Sequence, residues 1–210
     1  MAVVMACVNH KGGCAKTTTA VNLAVSLSNG NKDLKILPRN VLLIDLDPKG
    51  NVATTFGIDK KTIGLTMNEL FKGGMEGEKV DIAEFLISPQ KITKSMIGAW
   101  EKHNPDKIRG APKNIVINNL WLLPADLELA GIEIDLATRI GRENRLKIAI
   151  EDIKNKFDVI IIDTPASLGL LTINALSAAE WLLIPIQSEF YALEGMGQLM
   201  NSVRDVQKAV

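Results

Sequence analysis

The sequence predicts an α/β fold: a three-layer, doubly wound and mostly parallel sheet, formed by a single domain over residues 1–210. Three observations carry this prediction. Short runs rich in Val and Ile are apolar on both faces, as strands are when helices cover both sides of a parallel sheet. Helical patterns of ten or more residues alternate with those runs, which is the order of successive βαβ units. The 210 residues are 47% hydrophobic and 23% charged, the balance of a globular chain with a sizeable core, which excludes disorder over most of the length.

Taken in order, Ala2–Val8 (AVVMACV) is the first strand. A glycine-containing turn leads into a helix over Thr17–Ser28, with Ala20, Leu23, Ala24 and Leu27 as its apolar stripe and Asn29-Gly30 as its stop. Val41–Leu46 (VLLIDL) is the second strand. The stretch from Lys72 to Lys113 contains Gly73-Gly74, Gly77, Pro89, Pro105, Gly110 and Pro112, and is expected to be an irregular insertion of loops and short helices. Ile115–Leu123 alternates in part, interrupted by Asn118-Asn119. Leu127–Lys156 reads as two helices broken near Gly141. Val159–Asp163 (VIIID) and Trp181–Pro185 (WLLIP) are further buried strands, with Leu170–Ala179 and Ala192–Val210 as the remaining helices.

Lys plus Arg and Asp plus Glu both total 24, so no global field marks a nucleic-acid binder, and any DNA contact must come from a local cluster. No run approaches the ~18 apolar residues of a membrane-spanning helix. The N-terminus lacks the basic start and long apolar stretch of a secretory signal. Cys7 and Cys14 are too few for a disulfide scaffold and wrongly spaced for zinc. A cytoplasmic protein is expected.

The chemistry concentrates after the first strand, in Asn9-His10-Lys11-Gly12-Gly13-Cys14-Ala15-Lys16-Thr17-Thr18-Thr19. A strand, glycine loop and helix in succession aim backbone N–H groups and the positive helix end at an anion. Gly12 and Gly13 permit positive φ and close approach to phosphate oxygens. Lys16 would reach the β- and γ-phosphates, and the Thr17 hydroxyl would ligate magnesium. The pattern G-x-x-x-x-G-K-[ST] itself fails twice, because His10 and Ala15 occupy its glycine positions; an ordinary strand-to-helix turn with surface lysines is the alternative. Asp45 and Asp47 lie two apart at the end of the second strand, so their side chains leave one face at the sheet edge where ligands bind in open α/β sheets. Capping of the turn at Pro48 is the alternative role, chiefly for Asp45. Asp163 terminates four aliphatics and needs a partner there, a metal or the start of the next helix.

Lys11-Gly12-Gly13-x-x-Lys16-Thr17-Thr18 resembles the deviant Walker A loop of the ParA/Soj/MinD family of P-loop NTPase-like proteins. Leu43–Asn51 (LIDLDPKGN), Asp158–Leu176 (DVIIIDTPASLGLLTINAL), Ile184–Gln187 with Tyr191–Gly195, and Leu123-Pro124-Ala125 with Leu129-Ala130-Gly131 match the same family, the last favouring its ParA/Soj branch. The matches span most of the chain outside Lys60–Ile117. The resemblance implies a phosphate site of Lys11, Gly12, Gly13, Cys14, Ala15, Lys16, Thr17 and Thr18. It makes Lys11 the signature lysine that crosses to a partner's phosphates, so that two ATP molecules are sandwiched in a homodimer. Asp47 would orient or activate the attacking water, Asp45 would sit near magnesium, and Asp163 would hold magnesium through water as a Walker B aspartate.

The same resemblance implies ATP and magnesium as ligands, nonspecific DNA as a track, a ParB-like centromere-binding partner and a cytoplasmic, nucleoid-associated location. It implies no membrane partner, since a MinD-like C-terminal amphipathic basic helix is lacking. Arg204, with Lys208 one turn on, resembles a basic helix position used for DNA, while Arg139, Arg142 and Arg145 also step by three; a solvated helix face is the alternative for both sets. An alternative function is a nucleotide-gated regulatory or polar-localisation module with little turnover. Four departures stand out: Ala15 in place of glycine before Lys16, Lys49 in place of glutamine, Ala166 in place of a second proline, and an end inside a helical pattern, from which the C-terminal part of the family fold is expected to be absent.

Overall fold

The computed structural model describes residues 1–78, 80–104, 116–188 and 190–209. Five strands, β1 (Val3–Cys7), β2 (Val41–Asp45), β3 (Leu120–Leu123), β4 (Val159–Asp163) and β5 (Trp181–Leu183), form one sheet in the order β3-β2-β4-β1-β5. Every pairing between these five strands is parallel, as runs apolar on both faces require. Residues alternate faithfully between two cores. Val4, Ala6, Leu42, Ile44, Ile160 and Ile162 face one side, and Cys7, Val41, Leu43 and Ile161 the other.

Among the described residues eight α-helices cover the two faces: α1 (Lys16–Asn29), α2 (Asn51–Thr55), α3 (Met67–Glu76), α4 (Pro89–His103), α5 (Leu129–Leu136), α6 (Arg145–Glu151), α7 (Leu170–Ala178) and α8 (Phe190–Ala209). Ala20, Val21 and Ala24 of α1, Val52 and Ala53 of α2 and Ile92 of α4 pack on the Leu43 face. Met67, Leu70, Leu129, Ile132, Leu146, Ile150, Leu171 and Ala175, from α3, α5, α6 and α7, pack on the Leu42 face. α1 ends where expected: Gly30 takes φ +67° and returns its N–H to Ser26 O at 3.0 Å. The break at Gly141, φ +65°, separates α5 from α6.

Two expectations are corrected. The 72–113 stretch holds, besides the expected loops, a helix longer than expected: α4 runs for 15 residues, because Ser88 caps Lys91 N–H and Pro89 occupies the first helical turn, a starting rather than a breaking position. Gly73 and Gly74 lie inside α3, whose Thr66–Glu69 capping box outweighs them. Residues 105–113 of that expected insertion lie outside the described residues. The second correction concerns β5, which is not buried on both faces. Among the described residues it pairs with β1 alone, and Trp181 is 64% exposed. Among the described residues no helix is long and apolar enough to cross a membrane.

Candidate functional site

β1 lies between β4 and β5, and its C-terminal end is locked from both sides. Val8 N–H donates to Leu183 O at 2.9 Å, and the Thr164 hydroxyl donates to Cys7 O at 2.8 Å. The loop that follows hangs on Asn9. Its Nδ2 donates to Pro185 O at 2.7 Å, while its Oδ1 accepts Lys11 N–H at 3.0 Å. Asn9 was invisible to motif reasoning, since no phosphate-loop pattern assigns it a task. The loop then needs two left-handed residues to reach α1. Gly13 supplies one at φ +77°, and Ala15 the other at φ +64°, ψ +28°. Gly12 does not adopt positive φ, and a Cβ there would meet nothing within 4 Å. The expected backbone freedom is thus used at Gly13 alone of the pair; at Gly12 the missing side chain matters only for something approaching from solvent.

α1 begins with no side-chain cap and no acidic residue in its first turn, so its positive end is left for an external anion. Lys16, only 8% exposed, folds back across the loop: its ammonium donates to Lys11 O at 3.3 Å and lies 4.0 Å from Cys14 Sγ. Cys7 Sγ contacts Lys16 O at 3.4 Å, and burial pushes its thiol up to about 12, which makes Cys7 an inert core residue. Lys11 and Thr17 are half-buried, and Thr18 is exposed.

The left-handed Ala15 carries a measurable cost. A non-glycine residue in this region is strained by roughly 1–2 kcal/mol, partly offset by the extra chain entropy of glycine. Ala15→Gly should therefore raise unfolding stability by about 1 kcal/mol in urea titrations; an unchanged or lower midpoint would show that the loop holds no strain here.

Parallel register sets the acidic residues. Asp45 and Asp163 end adjacent strands directly opposite one another, and Cys7 pairs with Asp163 on the other side. Asp45 is fully buried and accepts Asp47 N–H at 3.0 Å and Val52 N–H at 3.2 Å, so it does cap the turn into α2 while facing the site. Burial, then the charge of Asp163, pushes its carboxyl well above the usual range. Asp163 is also fully buried, and neither of its oxygens completes a hydrogen bond. Burial raises it to about 6; the neighbouring Thr17 hydroxyl and Lys16 ammonium pull the other way, and Asp47 adds to the rise. Asp47 is half-buried and accepts Lys49 N–H at 3.0 Å. The Lys60 ammonium, another residue outside any motif, donates to Lys49 O and braces the same turn.

A buried carboxylate with both oxygens unpaired is costly unless a cation or donor joins it. The residues fit magnesium in particular. Among the described residues no three His, Cys, Asp or Glu side chains form a cation cage. Magnesium is characteristically held by one or two protein carboxylates, with water and phosphate oxygens completing its octahedron. Asp163 and the Thr17 hydroxyl, beside an uncapped helix end, offer that arrangement.

The basic candidates separate. Arg204 and Lys208 are exposed one turn apart on α8, alongside Asp205. Arg142 and Arg145 are spent internally. The guanidinium of Arg142 donates to Ala137 O at the end of α5, and that of Arg145 donates to Gly74 O at 3.2 Å and Ile140 O at 3.0 Å. Their three-residue spacing therefore reflects carbonyl capping around the Gly141 break.

Residues 2–210 match the AAA domain family. The chain is 38% identical over 208 residues to the sporulation initiation inhibitor protein Soj of Bacillus subtilis, covering 99% of this chain and 67% of Soj. It is 37% identical over 195 residues to the chromosome partitioning protein ParA of Myxococcus xanthus, covering 93% of this chain and 56% of ParA. The structure superposes with a TM-score of 0.75 and 33% identity on cobyrinic acid a,c-diamide synthase of Mycobacterium smegmatis, crystallised with an ATP analogue and magnesium, over 99% of this chain and 69% of that one.

Proposed function

The chain belongs to the ParA/Soj-type partition ATPases of the AAA domain family, and on that premise we propose that it is an ATP-driven dimerising switch for plasmid or chromosome partition. The observation that supports this best is the pair of unpaired oxygens on fully buried Asp163, set beside Thr17 and Lys16 at the C-terminal sheet edge. The uncapped N-terminus of α1 and the exposed backbone of Gly12 and Gly13 bind the phosphates of ATP. Lys16 leaves Lys11 O to meet the β- and γ-phosphates, and Thr17 and Asp163 hold magnesium, with Asp45 behind them. Magnesium, when bound, neutralises phosphate charge as it builds on the leaving oxygen. Asp47, half-buried at the same edge, orients the attacking water, and Lys11 supplies positive charge to the partner's phosphates.

The ATP-bound dimer binds DNA without sequence preference through exposed Arg204 and Lys208, and a ParB-like partner stimulates hydrolysis and release. The protein would work in the cytoplasm, on the nucleoid. The test is light scattering: mass should double with ATP and magnesium but stay monomeric with ADP. A monomer under saturating ATP, or a dimer indifferent to nucleotide, would remove the switch.

The strained Ala15 favours a second reading, a nucleotide-gated regulatory or localisation module with little turnover. Steady-state phosphate release with and without DNA separates the two. Strong stimulation supports the partition motor, whereas tight ATP binding without turnover, relieved in Ala15→Gly, supports the module.

A further inference from the structure

The loop that leaves Asp163 is held from outside by a residue that belongs to no motif. After β4 the chain passes through Thr164–Gly169 into α7. Two of its restraints are close by: the Thr164 hydroxyl donates to Cys7 O, and the Thr172 hydroxyl donates to Ser167 O at 2.6 Å. The far end is different. Gly169, the N-cap of α7, has no side chain to offer, and the first turn of α7 contains no acid. The Leu171 N–H donates instead to Glu133 Oε1 of α5, 3.2 Å away and 38 residues earlier in the chain.

The same carboxylate occupies the space that a side chain at residue 169 would fill. Its backbone, at φ −78° and ψ −173°, is extended and open to any residue. A Cβ built there would collide with Glu133 Oε1 and lie 3.0 Å from its Cδ. Space for the carboxylate, not backbone freedom, is what glycine provides. A negative group at this helix end is also favoured by the α7 dipole.

We infer that Glu133 is a positioning residue for the nucleotide site: it clamps the far end of the Asp163–Gly169 loop to α5 and so holds the Asp163 carboxylate opposite Thr17. The inference rests on the magnesium–nucleotide reading of that site, but the clamp itself can be measured without nucleotide. Three variants define it. Glu133→Ala removes the acceptor, Gly169→Ala pushes the carboxylate aside, and Glu133→Gln keeps an oxygen at the same reach.

Amide exchange over residues 164–172 of the nucleotide-free protein should speed up about ten-fold in Glu133→Ala and Gly169→Ala, the loss expected for a hydrogen bond to a charged acceptor. Glu133→Gln should stay near wild type. In the first two variants, the magnesium concentration for half-maximal ATP binding should rise several-fold, while nucleotide affinity in EDTA stays unchanged. Wild-type exchange and wild-type magnesium dependence in both Glu133→Ala and Gly169→Ala would overturn the inference. Faster exchange with unchanged magnesium dependence would also overturn it, by reducing Glu133 to a helix cap. A wild-type protein with no affinity for magnesium and ATP would instead overturn the nucleotide reading, with the exchange data still deciding whether Glu133 holds the loop.

Discussion

Replacing Lys16 with alanine should lower ATP turnover by roughly 10²–10³-fold, the usual effect of removing one preorganised donor from a site of developing charge. The geometry makes the loss severe. Lys16 is nearly buried, and its ammonium is held inside the loop by Lys11 O, so the charge already lies in the loop and has only to exchange that carbonyl for phosphate oxygens. The other described cations do not replace it at that point: Lys11 is assigned to the partner's phosphates, Lys60 is committed to Lys49 O, and Arg142 and Arg145 to carbonyls elsewhere. The ATP-dependent doubling of mass should vanish in the same variant. Phosphate release within three-fold of wild type would show that the loop does not grip a triphosphate through this side chain.

The second large effect is on stability, and it opposes function. Asp163 titrates at about 6 in the folded protein, against ~3.9 in an unfolded chain. Below pH ~4 the carboxyl is protonated in both states, and the fold bears no penalty. As pH rises from there, the unfolded chain gives up its proton first. Above pH 6 the fold must carry a buried charge that Thr17 and Lys16 compensate only in part, so the stability present in acid has been lost, by about 3 kcal/mol. Asp45 is shifted in the same direction and adds to the loss.

Asp163→Asn should therefore stabilise the nucleotide-free protein at pH 7.5 by up to ~3 kcal/mol, with the gain fading toward pH 4, while abolishing magnesium-dependent turnover. Urea titrations of both proteins at the two pH values check this. A variant less stable than wild type at pH 7.5, or a gain independent of pH, would mean that the carboxylate is not an uncompensated charge. Magnesium and ATP should stabilise wild type and leave the variant nearly unmoved.

Much of this was legible in the chain alone. The strands at Val41–Asp45 and Val159–Asp163 lie where their aliphatic runs place them, because a strand buried on both faces has no polar positions to blur its edges. α1 ends at Asn29 with Gly30 as its cap, because a left-handed stop suits glycine. The helix α4 was missed because Pro89 and the flanking glycines signal a break to a reader who cannot see that Ser88 turns the proline into a start. The edge position of β5 was missed for another reason. Apolar composition records what a strand can bury, whereas its neighbours decide what it does bury, and among the described residues Trp181 finds one partner strand.

By itself, then, the order of residues determined the layered α/β architecture, the phosphate loop and the acidic strand ends, because each is written in residues close together along the chain and governed by local backbone chemistry. Tertiary structure alone decided which charges are paired. It set Asp163 against Asp45 through strand register, left the oxygens of Asp163 short of a completed hydrogen bond, tied Arg142 and Arg145 to backbone carbonyls, and brought Glu133 across 38 residues to the Leu171 amide. Those outcomes depend on distances between segments that never meet in sequence, and a carboxylate's energy depends on what lies within a few ångströms of it.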